Sequence, residues 1–163
     1  MSDPKTIPRQ VVIALAARLA TIKVSSGYRT NLGLQVFRRP RTMDEAETYL
    51  QSAAVWIISE TPGDEAGPRY RKNSGNIQID CAAVVTATTE DDYESTLDAM
   101  AGDLKTAIFP SLSDGVGGLV DYCKPGNFDW EYPDEGSRVC GIRMIIEIGW
   151  PERIGDPYSL LTQ

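Results

Sequence analysis

The hydrophobic pattern changes period several times along the chain. Over "TIPRQVVIALAARLATIKVSSG" the apolar residues Ile7, Val11, Leu15, Leu19 and Ile22 fall on one face at helical spacing. Thr6 stands at an N-cap position, Pro8 in the first turn and Gly27 just past the end, so an amphipathic helix over about 7 to 24 is predicted. The period then drops to two. Leu32, Leu34 and Val36 alternate with Asn31, Gly33 and Gln35, as a half-buried strand requires. In "TMDEAETYLQ", Thr42 followed by Glu45 fits a capping box opening a short helical turn. "AAVWIIS" is apolar on both faces and reads as a central strand. The segment "ETPGDEAGPRYRKNSG" is rich in Gly, Pro and charge, which predicts a solvated, mobile loop over about 61–75.

Alternation returns in "NIQIDCAAVVTA", where Ile77, Ile79, Cys81, Ala83 and Val85 share one face. In "TTEDDYESTLDAMAGDLKTAIFP", Thr88 or Thr89 caps a second helix, with Tyr93, Leu97, Met100, Leu104 and Ile108 on its buried side and Pro110 at its end. After the glycine-rich link "SLSDGVGG" come the strand-like runs "LVDYC" and "FDWEY", the turn "PDEGS", and a long strand in "RVCGIRMIIEIGW" that can pair with "FDWEY" as a hairpin. An irregular tail is expected over 151–163. The element order predicts a single α+β domain spanning 1–163, in two layers: a mainly antiparallel, mixed sheet of about four to six strands with two main helices packed on it.

Charge adds a second layer to this picture. The formal net charge is −7, yet residues 1–43 hold eight Lys/Arg against one acid, a net of +7, and residues 82–163 hold five against fifteen, a net of −10. The chain is electrically bipolar. Such a molecule neutralises itself internally or pairs its basic part with the acidic part of an identical neighbour, and both arrangements disfavour nucleic acid as the main partner. The basic strip "GYRTNLGLQVFRRPR" supplies Arg29, Arg38, Arg39 and Arg41. Its residues alone admit three roles: a solvated edge that blocks strand-to-strand aggregation, an intrachain partner for the acidic half, or an intersubunit contact.

Candidate chemistry is sparse. Histidine is absent, which removes the usual general base and zinc ligand. Cys81, Cys123 and Cys140 are odd in number, widely spaced and in apolar contexts, the pattern of buried thiols in a reducing compartment. "TTEDDYES" crowds four carboxylates but lacks the spacing and glycine of a calcium loop, so it reads as a helix N-terminus. "GVGG" has no following Lys with Ser or Thr and is no phosphate loop. "RYRK", with Arg69, Arg71 and Lys72, offers Tyr70 for stacking, but acids crowd it, which favours a solvated or partner-ordered loop. Asp129 and Glu131 share a strand face and, with Glu147, form the carboxylate set on which a small metal-dependent enzyme would be built. A solvent-facing acidic row opposite a buried aromatic row (Phe128, Trp130, Tyr132) explains the same alternation. No apolar run reaches the roughly 18 residues that span a bilayer. "MSDPKTIPRQ" does not read as a secretory signal, so a cytoplasmic location is expected.

The succession of a first helix, "GYRTNLGLQVFRRPR", an apolar strand, "IQIDCAAVVTATTEDDYESTLDAMAGDLKTAI" and the closing "DEGSRVCGIRMIIEIGW" resembles the tail terminator proteins of long-tailed bacteriophages, the minor tail protein U group, from about Ile7 to Trp150. The resemblance places Gly27 and Tyr28 at the turn positioning the first strand, and Ile77–Ala87 and Val139–Trp150 in the central sheet. It implies a non-enzymatic virion protein without cofactor or metal, which closes into a ring, a hexamer in that family. Such a ring caps the tail tube, stops its polymerisation and presents the head-attachment surface. The implied partners are copies of itself, the tail-tube protein and a head–tail connector protein, with no membrane and no sequence-specific nucleic acid. The implied location is the head-proximal end of the tail, and the host cytoplasm during assembly. Arg29, Arg38, Arg39, Arg41, Arg69, Arg71, Lys72, Asp129 and Glu131 are then the candidate subunit or tube contacts. Another connector or tail-completion protein is the nearest alternative within the class.

Overall fold

Strands built from the period-two stretches dominate the molecule. In a computed structural model describing residues 4–86, 89–108 and 115–158, β4 (Tyr70–Val84) and β6 (Val139–Arg153) have fifteen residues each and pair antiparallel from Tyr70 opposite Arg153 to Val84 opposite Val139. β2 (Gln51–Thr61) lies antiparallel on the other side of β4, with an irregularity at Ile58, and β5 (Tyr122–Glu131) lies antiparallel on β6. A two-residue β1 (Val36–Phe37) joins β2 in parallel, and β3 (Glu65–Gly67) folds back on the start of β4. The path is β1-β2-β4-β6-β5, a mixed and mainly antiparallel six-stranded sheet in an α+β fold.

One face of the sheet makes the core. Its rows are Ala53–Cys81–Ile142–Trp130, Val55–Ile79–Met144–Phe128 and Ile57–Ile77–Ile146–Pro125. Two helices cover it: α1 (Ile7–Leu19), through Ile7, Val11, Leu15 and Leu19, and α3 (Glu90–Ile108), through Leu97, Met100, Leu104 and Ile108, all fully buried. Each such side chain contributes about 1.5–3 kcal/mol of apolar burial. The opposite face bears the other parity: Ser52–Ala82–Gly141–Glu131, Ala54–Asp80–Arg143–Asp129, Trp56–Gln78–Ile145 and Ser59–Asn76–Glu147–Lys124. The short α2 (Met43–Thr48) packs there, with Ala46 buried against β4.

Several expectations change. The first helix stops at Leu19, where Ala20 N–H still bonds Ala16 O, and 3-10 turns follow at Val24–Ser26 and Leu32–Leu34. Gly27, at φ +91°, closes the first of these turns. Residues 32–35 are therefore not a strand, and only Val36 of the expected run enters one, β1. Gly33 sits so close to the end of α1 that a Cβ there would lie 2.5 Å from Leu19 O, and its N–H bonds Ile22 O at 2.8 Å. Only Gly fits that contact, and its place in an alternating run imitated a strand. The expected loop at 61–75 is a hairpin: β2 reaches Thr61, β3 spans 65–67 and β4 starts at Tyr70. "LVDYC" and "FDWEY" are not two strands; 122–131 is one strand with a register irregularity between Pro125 and Phe128. β6 carries regular structure through Arg153, into the tail expected to be irregular. Thr88, Pro110 and residues 159–163, which also figured in the expectations, lie outside the described residues.

Candidate interaction surfaces at the two edges of the sheet

The basic strip is divided among four environments. Asp103 of α3, 4% exposed, accepts the backbone N–H of Arg29 (3.0 Å) and of Thr30 (2.7 Å) and the Thr30 hydroxyl (2.7 Å), pinning the strip's start to the helix. The Arg29 guanidinium reaches Asp98 at 3.2 Å, between two well-exposed side chains. Arg39 lies 5.0 Å above the Phe37 ring and bonds both Glu45 oxygens, at 2.9 and 2.5 Å. Arg41 turns inward over the open face of the sheet. Its Nη1 donates to Ser52 O, Ser52 Oγ and Asp80 O at 3.2–3.3 Å, and burial lowers its pKa despite the nearby Cys81 and Asp80. Arg38 remains exposed and, among the described residues, makes no ion pair. Intrachain neutralisation thus accounts for Arg29, which pairs with the acidic half, and for Arg39, which pairs next door.

Arg41 borders a cleft of about 520 Å³ on the open face, together with Ala46, Asp80, Glu131, Asp134 and Arg143. Arg143 bridges two of its lining acids, with Nε 3.2 Å from Asp80 and Nη2 2.8 Å from Glu131. Glu131 is thus tied down within its own chain, and Glu147 accepts from the Tyr122 hydroxyl at 2.9 Å. Asp129, in the row of Asp80 and Arg143, is exposed and has no ion pair among the described residues. Asp129, Glu131 and Glu147 share the open face but lie on β5 and β6, with Glu131 held by Arg143 and Glu147 by Tyr122. No group of three or more metal-ligating side chains occurs among the described residues. Cys81, Cys123 and Cys140 are buried and not joined in disulfides, with burial pushing the Cys81 thiol up to about 12 and the Cys140 thiol to about 11.

The aromatic row of β5 is not uniformly buried, contrary to expectation. Phe128 packs on the core with Lys105 Nζ 5.4 Å from its ring, but Trp130 is 41% and Tyr132 54% exposed. On the opposite edge Leu34 (66%) and Leu50 (70%) are the most exposed large apolar residues. With Tyr49, whose ring meets Phe37 edge-on at 5.8 Å, they line a groove of about 320 Å³.

Arg69, Arg71 and Lys72 stand apart from all of these. Ten residues of β4 separate Arg71 from Cys81, about 33 Å along a strand. The candidate cations therefore form two groups at opposite ends of the sheet. Arg71 is half-buried in β4 opposite Glu65 and Glu152, while Lys72 projects to solvent. "GVGG" is a left-handed turn: Val116 (φ 57°) and Gly117 (φ 73°) leave the helical region, and Val116 is buried in the core. No described helix is long and apolar enough to cross a membrane. Asp103 and the Leu34–Tyr49–Leu50 patch escaped the sequence reading. The signal for Asp103 was its spacing, three residues after Met100 and beside Leu104, on the buried side of α3.

The chain matches no established family profile and no curated protein. Among solved structures it is similar to the sheath/tube terminator of an extracellular contractile injection system, PVC, in its extended state. The TM-score is 0.47 at 9% identity, covering 99% of this chain and 63% of that one. The chain thus spans less than two thirds of the length of that terminator.

Proposed function

We propose that the protein is a one-domain tail terminator: a virion assembly protein that closes into a ring, caps the tail tube, halts its growth and offers the surface on which a head–tail connector docks. The observation that carries this reading is the pair of open sheet edges. β1 and β5 end the main path of the sheet, and next to them lie exposed apolar side chains and the charges of Arg38 and Asp129, which pair with no described residue. Open edges with such groups suit docking against copies and a tubular partner. The sequence resemblance from Ile7 to Trp150 supplies the identity of that partner. Arg29, Arg39, Arg41, Glu131 and the distant Arg69, Arg71 and Lys72 remain candidate contacts in this reading. Native mass spectrometry and negative-stain imaging of the full chain, alone and with tail-tube protein, test it. Closed annular particles, and tubes of arrested length, are expected. A monomer under every condition, with tubes growing unchecked, rules it out.

A further inference from the structure

The two free edges of the sheet match in direction, height and chemistry. β2, β4, β6 and β5 alternate in direction, and β1 runs parallel to β2. β1 is therefore antiparallel to β5. A rotation about an axis lying along the strands preserves every strand's direction, so the β1 of a neighbouring copy meets β5 in the antiparallel sense that hydrogen bonding favours. The register gives the height. Val36 is level with Ala53, Cys81, Ile142 and Trp130, and Phe37 with Ala54, Asp80, Arg143 and Asp129. At that same level one edge exposes Leu34, Tyr49 and Leu50 around a groove, and the other exposes Trp130 and Tyr132. Arg38 follows Phe37 by one residue, which puts a cation within one strand step of the level of Asp129, and neither charge pairs with a described residue.

We propose that copies of this chain join by strand addition: the β5 edge of one lies antiparallel along the β1 edge of the next, Trp130 and Tyr132 seat against the Leu34–Tyr49–Leu50 groove, and Asp129 comes level with Phe37, one residue from Arg38, whose long side chain reaches it across the junction. The occupant of each edge is a second copy. A heterologous contact of this kind uses a different patch on each partner, so every copy satisfies one neighbour with each edge, and closure pairs both end strands, β1 and β5. The inference rests on the ring reading above and adds to it the strands and side chains that make the contact.

Charge reversal with native mass spectrometry of the full chain at low ionic strength tests it. Arg38→Glu and Asp129→Arg each raise the concentration for half-assembly by about tenfold, because like charges then meet across the junction, and the double variant recovers most of the loss. Both positions are exposed, so unchanged circular dichroism and melting temperature of the unassembled chains separate an interface effect from misfolding. Wild-type rings that form equally well in both single variants overturn the strand-addition contact and leave the ring reading standing. A wild-type chain that never assembles, even with tube protein, fells the ring reading and this contact with it.

Discussion

Asp103 shows how one side chain can hold a segment with no regular structure of its own. Residues 28–31 lie between two 3-10 turns, and the backbone donors of Arg29 and Thr30 end on a carboxylate that is itself 4% exposed. Removing the acceptor leaves these donors, and the Thr30 hydroxyl, without partners in a site that water barely reaches. An unmet buried donor costs about 1–3 kcal/mol. Asp103→Ala is therefore expected to lower unfolding stability by about 3 kcal/mol, and Asp103→Asn, which keeps one carbonyl oxygen, by less. Urea unfolding of the two variants measures this. An Ala variant within 0.5 kcal/mol of wild type, roughly the scatter of neutral surface changes, would show that the segment holds without its anchor. The same residue marks a limit of sequence reading: an acid on the buried side of an amphipathic helix is visible in the spacing, but its partners come from 74 positions earlier in the chain.

Short-range signals were read correctly where the chemistry was local, and α2 is the clearest case. Thr42 Oγ1 accepts from Glu45 N–H at 3.2 Å while Glu45 accepts from Thr42 N–H at 3.0 Å, the reciprocal box anticipated from the T-x-x-E spacing. Thr42→Ala is expected to cost about 1 kcal/mol, read as a lower melting temperature. The Arg39 side chain, followed by the Thr42 backbone, holds the Glu45 carboxyl at about 2. Its folded value lies below its unfolded one, so its stabilising contribution is complete above the ordinary carboxylate range and is lost as pH falls toward 2. Glu45→Gln should flatten the melting-temperature profile across that acid window; an unchanged profile would place the acid sensitivity elsewhere. Elements defined by distant pairing were read less well. Composition around 61–75 suggested a loop, whereas β4 starts at Tyr70 because β6 lies opposite through Arg153 and β3 folds back on its first residues. The alternation at 31–36 suggested a strand, but Gly33 closes against the end of α1. In both places tertiary contacts overrode a local pattern.

At the scale of the whole molecule the bipolar charge resolves into a few intrachain contacts and a remainder. Arg29, Arg39 and Arg143 find acids within the chain, and the charge left over at Arg38 and Asp129 lies beside opposite edges of one sheet. The sheet order and the burial pattern together predict how the molecule opens. β4 and β6 are paired on both sides and carry the buried Ile77, Ile79, Met144 and Ile146, so their amides open only with global unfolding. β1 has two residues and a single neighbour, and β5 has β6 alone, with an irregularity near its middle and exposed side chains at its end. Hydrogen exchange on the unassembled chain should therefore rank β4 and β6 slowest, β2 intermediate, and residues 36–38 and 128–132 fastest. Assembly by strand addition should then slow only those two edge segments, leaving the fast exchange of other exposed stretches such as α2 unchanged. Edge amides already slow in the monomer would mean that the edges are satisfied within the chain. The remaining charges would then be a solvated surface rather than half of a contact.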